Sequence, residues 1–96
     1  MSESQFKDWI KLSAVIADVQ DTTNIECPNC HQFDVDYQYV GDIQSRTGFL
    51  DIWCNACLHG IHLSRTKAPE KASIIPFDAV EEYTKKVPKF TPIEPV

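Results

Sequence analysis

The sequence predicts a small α+β fold. Its centre is a three-stranded antiparallel sheet pinned by one metal ion, with an N-terminal helix before it and a short C-terminal helix after it. Three observations predict this. All four cysteines stand in two matched C-x-x-C pairs, Cys27-Pro28-Asn29-Cys30 and Cys54-Asn55-Ala56-Cys57, with 23 residues between them. The stretch between the pairs alternates apolar and polar side chains, the period of a strand. The stretch before them repeats its apolar residues every three or four positions, the period of a helix.

The helix is expected over residues 4–20. Phe6, Trp9, Ile10, Leu12, Val15, Ile16 and Val19 form a broad apolar stripe that must be covered, either by the chain's own sheet or by a partner or second copy. Ser2 or Ser4 would cap its start. Asp21-Thr22-Thr23-Asn24 then reads as a linker into the first cysteine pair.

The cysteine spacing is explained by coordination chemistry. Zinc(II) binds four ligands at the corners of a tetrahedron, with zinc–sulfur bonds of about 2.3 Å. Two intervening residues allow a tight turn to place both sulfurs of a pair on one metal, and the second pair completes the set, so Cys27, Cys30, Cys54 and Cys57 are the expected ligands of one structural Zn²⁺. Pro28 fixes a turn-compatible φ, Asn29 tolerates turn geometry, and Gly60 is expected to supply a positive φ where the chain leaves the second turn. The same thiolates also suit iron. Disulfides and a redox-active pair are rival uses of C-x-x-C. The polar start of the chain has no apolar leader segment, which places it in a reducing, cytoplasmic setting where disulfides are rare.

Between the pairs, Phe33, Val35, Tyr37 and Tyr39 fall on one face of a strand and Asp34, Asp36 and Gln38 on the other. Residues 41–48 form a polar turn carrying Arg46, and residues 49–53 return directly into Cys54. At about 3.4 Å per residue such a hairpin reaches roughly 30 Å out and comes back to the metal. Residues 61–65 suggest a third strand. Residues 66–87 read as loop and short helix: residues 73–77 would add an edge strand or cover the sheet, and the helix spans 78–86. Asp78 would cap that helix with Glu81 three residues on, and Lys85 and Lys86 suit its C-terminal end. The Pro-rich segment 88–96 is extended, either packed through Phe90 and Ile93 or free to engage a partner.

These motifs resemble a zinc ribbon, in which two cysteine knuckles hold a three-stranded antiparallel sheet. The likeness covers residues 25–65 of a single domain spanning 1–96, and the surrounding sequence is similar to small bacterial zinc-ribbon proteins. Ribbon knuckles often carry glycine directly after the second cysteine, whereas this chain has His31 and Leu58 there. The resemblance implies a structural metal and a role of the kinds that ribbons fill, in transcription factors, in ribosomal proteins, as enzyme appendages or in protein docking. It does not choose among them.

The remaining residues favour binding over catalysis. His31, His59 and His62 flank the cysteines, but four thiolates already complete a tetrahedron and leave no position for a reactive water. No nucleophile–base constellation and no phosphate-cradling glycine loop stands out, so no enzymatic activity is expected. With 14 acidic against 9 basic residues the formal charge is −5. Zinc with four thiolates would take it to about −7. An acidic surface with aromatic residues suits a basic protein partner, as in an inhibitor or immunity-type protein, with Asp34, Asp36, Tyr37, Tyr39, Phe49 and Trp53 as candidate contacts. The alternative is nucleic-acid binding, with aromatics stacking on bases and Arg46 meeting phosphate. It has too small a basic footprint to rank first. No run approaches membrane-spanning length.

Overall fold

The computed structural model describes residues 2–93, with side chains from Phe6 onward. The elements follow in the order α1 (Ser2–Val19), β1 (Val35–Gly41), β2 (Thr47–Cys54), β3 (His59–Lys67), β4 (Ile74–Ile75), α2 (Val80–Lys86) and β5 (Thr91–Pro92). Capping by Ser2 or Ser4 and the tail at 94–96 lie outside the described side chains. Among the described residues no helix is long and apolar enough to cross a membrane.

The fold is small α+β, but the expected three-stranded antiparallel ribbon is corrected. The sheet has five strands in the order β4-β1-β2-β3-β5 and is mixed. β1, β2 and β3 pair antiparallel, with Val35 opposite Cys54 and Ile52 opposite Ile61. β4 then adds in parallel to β1, and β5 in parallel to β3. Each added strand is two residues long, too short to carry a period-2 signature. Both meet edges whose backbone groups would otherwise face solvent.

Pleating gives the sheet two unlike faces. On one, Val35, Tyr39, Leu50, Ile52 and Ile61 join Trp9 and Ile16 of α1 in the buried core, so the helix stripe is covered by the chain's own sheet. Trp9 and Ile16 are seven residues apart, two helical turns, and both are fully buried, whereas Val15 and Val19 stay largely exposed. Gln20 ends α1 in the left-handed region at φ 51°. Its backbone N–H donates to the Ile16 carbonyl at 2.9 Å, and its side-chain amide donates to the Ala17 carbonyl at 2.6 Å, one of the acceptors that the helix end leaves without an intrahelical partner.

The opposite face carries Asp36, Gln38, Asp51, Trp53 and His62, and of these Asp36, Asp51 and Trp53 meet side chains of α2 and the chain that follows it. Two expected turn features are corrected here. No glycine has a positive φ; Gly60 instead sits opposite Trp53, where a Cβ would lie 2.0 Å from the carbonyl oxygen of Ile52. Helix α2 starts after Ala79, with no side-chain cap, because a turn from Pro76 to Ala79 puts Asp78 one position too early. Its charges are placed as expected, with Glu81 and Glu82 in the first turn and Lys85 and Lys86 in the last. Arg65, at φ 54°, is the extra residue of a bulge between the Gly48–Thr66 and Phe49–Ser64 pairs.

Candidate metal centre

Two equivalent turns build the site. After Cys27 the chain reverses so that His31 N–H donates to the Cys27 carbonyl, at 2.9 Å, and after Cys54 so that Leu58 N–H donates to the Cys54 carbonyl, at 2.8 Å. Closing each turn requires the residue after the second cysteine to be left-handed, and His31 and Leu58 have φ of 65° and 55°. These are the positions where ribbon knuckles often carry glycine. The fold keeps the required conformation and accepts about 1 kcal/mol of backbone strain at each. A further hydrogen bond, Asn55 N–H to the Asp34 carbonyl at 2.9 Å, ties the second turn to the chain leaving the first.

The geometry tests the coordination argument. A tetrahedron with bonds of about 2.3 Å has edges of about 3.8 Å. Cys27 Sγ lies 3.7 Å from Cys57 Sγ, and Cys30 Sγ lies 3.6 Å from Cys54 Sγ. All four sulfurs lie within 4.8 Å of one another. The cysteines are free, and these separations are far beyond a disulfide bond of about 2.05 Å. The donor set therefore fits one tetrahedral metal ion. Backbone N–H groups of Asn29 and Cys30 point at Cys27 Sγ at 3.3 and 3.4 Å, an arrangement that supports a negatively charged sulfur.

Burial works against ionisation of two of the four thiols. Cys27 and Cys54 are fully buried. Burial pushes the Cys27 thiol up to about 12 against the pull of the N–H groups of Cys30 and Asn29. It also raises Cys54. Cys30 moves the other way, chiefly because the Gln32 N–H donates to it. A divalent ion held among the four sulfurs would supply positive charge that favours their thiolate form. The three histidines stand apart from this group. His31 Nδ1 meets Glu26 at 2.6 Å, His59 Nδ1 faces the Cys57 carbonyl at 3.0 Å, and His62 Nδ1 meets Asp51 at 2.6 Å.

The candidate contact residues do not form one patch. Tyr37 and Tyr39 lie on the α1 face, edge to face at 5.8 Å, and Tyr39 is buried. Phe49 and Trp53 lie on the opposite face, where Trp53 is buried and Phe90 stacks on it at 6.2 Å. Reading the four as one surface overlooks the pairing register, which places Tyr37 opposite Ile52 and Asp36 opposite Trp53. Asp34 is exposed and Asp36 pairs with Lys86 at 3.3 Å. Arg46 turns inward. Its guanidinium donates to the carbonyls of Pro69 and Ala72, both at 2.6 Å, and to that of Ala68 at 3.4 Å.

One polar cluster joins residues far apart in the sequence and was not among the expected sites. Asp51 is 1% exposed, and its carboxylate accepts from His62 Nδ1 at 2.6 Å and from the Tyr83 hydroxyl at 2.7 Å. Burial and this hydrogen bond both raise the Tyr83 phenol and keep it protonated as the donor. The legible signal was a lone acid inside the apolar run Phe49-Leu50-Asp51-Ile52-Trp53.

Compared with models of protein families, with curated proteins and with solved structures, the chain matches none.

Proposed function

We propose that the chain holds one structural zinc ion through Cys27, Cys30, Cys54 and Cys57 and acts, without catalysing a reaction, as a small acidic module that binds a basic protein. The observation that carries the first part is the sulfur geometry: separations of 3.6 and 3.7 Å match the edge of a zinc–thiolate tetrahedron. Four thiolates fill zinc's tetrahedral positions, so the ion's contribution is to fold the chain. When bound it supplies charge neutralisation and a rigid link between the two turns. Cys27 and Cys54 couple that link to the core, because both belong to the cluster formed with Trp9 and Ile52.

The binding half of the reading rests on charge. Asp34, Glu70, Asp78, Glu81 and Glu82 are exposed on a chain of formal charge −5. Such a field draws in basic partners and repels phosphates. An inhibitor that neutralises a basic protein is the role that this size and charge suit. The inward turn of Arg46 removes the side chain on which the nucleic-acid reading most depended.

Two measurements test the proposal. Elemental analysis of reduced protein should find one zinc per chain. Binding to an arginine-rich model protein should weaken steeply with salt and on Asp34→Lys/Glu70→Lys, while single-stranded and duplex DNA and RNA are not retained. A chain without zinc, or one that binds nucleic acid tightly with a steep salt dependence, overturns it.

A further inference from the structure

We propose that residues 76–93 form a displaceable strap, and that it covers the face of the sheet that receives a partner segment bearing an aromatic ring and a cationic side chain. The partner half rests on the protein-binding reading above; the strap itself does not.

The strap stands outside the α1-side core, and of its own residues only Val87 is buried. Among the described residues of the cluster that joins α1, the cysteine turns and β1–β3, only Ile93 comes from it. α2 has seven residues, none buried, and no side-chain cap. A helix that short has no stability of its own. The strap is held by discrete side-chain contacts: Tyr83 hydroxyl to Asp51 at 2.7 Å, Lys86 to Asp36 at 3.3 Å, Phe90 stacked on Trp53 at 6.2 Å, and Phe77 and Tyr83 against Phe49 at 6.3 and 5.9 Å. Two backbone bonds close its end, Thr91 N–H to Leu58 at 2.8 Å and Ile93 N–H to Gly60 at 2.6 Å.

The face beneath has the composition of a recognition site. A fully buried Trp53 has its indole N–H fixed by Asn55 at 3.0 Å. Beside it stands a buried carboxylate, Asp51, already positioned by His62 on the sheet itself. Buried aromatic anchors with a few aimed polar groups are what binding faces concentrate. A carboxylate enclosed in the middle of a sheet contributes little to folding compared with an apolar residue of its size. It does fix which segment can lie on top. The strap meets this face with a hydroxyl, an ammonium and a phenyl ring, and so acts as an internal ligand of the same chemistry as the partner.

Two experiments on the full, metal-loaded chain decide the matter. In hydrogen exchange, the amides of Val87, Thr91 and Ile93 should exchange at least ~100-fold faster than paired amides of β2, through an opening that leaves the metal bound. In the second, a fluorescent synthetic peptide of residues 76–93 is titrated onto the wild-type chain and onto Tyr83→Phe/Phe90→Ala. The tethered strap competes at an effective concentration in the millimolar range, so the variant should bind the peptide at least ~10-fold more tightly. A peptide carrying Lys86→Glu/Phe90→Ala should lose that binding. Equal binding by both chains, or by both peptides, overturns the proposal. So does strap exchange at the rate of β2, which decides alone if the variant fails to retain metal. The exchange result needs no partner, so the strap can fail while the basic-partner reading stands, and the reverse.

Discussion

Replacing Arg46 should destabilise the protein without altering any affinity for phosphate. The guanidinium makes two short bonds, 2.6 Å each, to the carbonyls of Pro69 and Ala72, and a long one of 3.4 Å to Ala68. The loop that it clamps carries Ala68 and Ala72, both in the buried core. Hydrogen bonds to a charged donor contribute about 1.5–3 kcal/mol each. Taking the two short bonds at the low end, because water regains part of the freed carbonyls, Arg46→Ala should cost about 3 kcal/mol. For a domain of this size that lowers Tm by roughly 10–20 °C. Arg46→Lys keeps the charge but loses the planar fork, and should cost about 1–2 kcal/mol. Arg46 also sits at φ 60°. Arg46→Gly should therefore be about 1 kcal/mol more stable than Arg46→Ala, although both lack the clamp. Urea denaturation of the metal-loaded protein, with the slope m held constant, measures all three. Loss of less than about 0.5 kcal/mol in Arg46→Ala, the range of an ordinary surface substitution, would refute the clamp. A fall in the salt dependence of nucleic-acid binding would return Arg46 to the phosphate role.

Four further outcomes follow from the same geometry. Chelation, or Cys54→Ser, should unfold the cysteine turns and the strands joined to them, since structural zinc supplies about 10–16 kcal/mol and small domains have only about 5–15 in all; circular dichroism after chelation checks this, and an unchanged spectrum contradicts it. Any fold that the metal-free chain keeps should be alkali-sensitive: burial raises the Cys27 thiol from 9.0 to about 12, so stability present below pH 9 is lost as pH rises toward 12. A metal-free melting point that does not fall over that window contradicts the assignment. Gly60→Ala would place a Cβ 2.0 Å from a backbone oxygen and force β2 and β3 apart, costing about 3 kcal/mol or more; unchanged urea stability would refute the register. His31→Gly should stabilise by about 0.5 kcal/mol, because the φ of 65° costs more than the exposed Glu26 pair returns, and a loss of that size would show that the pair matters.

The cysteine cluster was legible because its information is local. Two cysteines three positions apart can share a metal through one turn, and that turn is written in four adjacent residues. The N-terminal helix and the three antiparallel strands were legible for a related reason: each is long enough for its apolar period to repeat several times. Glycine was misread where sequence suggested a positive φ. His31 and Leu58 take that conformation, while Gly60 is needed because Ile52 passes too close for a side chain. The need arises from a neighbouring strand, not from Gly60's own chain direction.

By itself the sequence determined the four sulfur donors, the helical and strand periods and the acidic charge, all properties of residues close together along the chain. Tertiary structure alone decided that β4 and β5 widen the sheet, that Tyr39 and Trp53 point to opposite sides of it, and that Arg46 is spent on carbonyls 22 to 26 positions away. It also decided that Asp51, His62 and Tyr83 meet. Register and edge pairing depend on which backbone groups remain unsatisfied once the strands have come together, and no window of sequence contains that information.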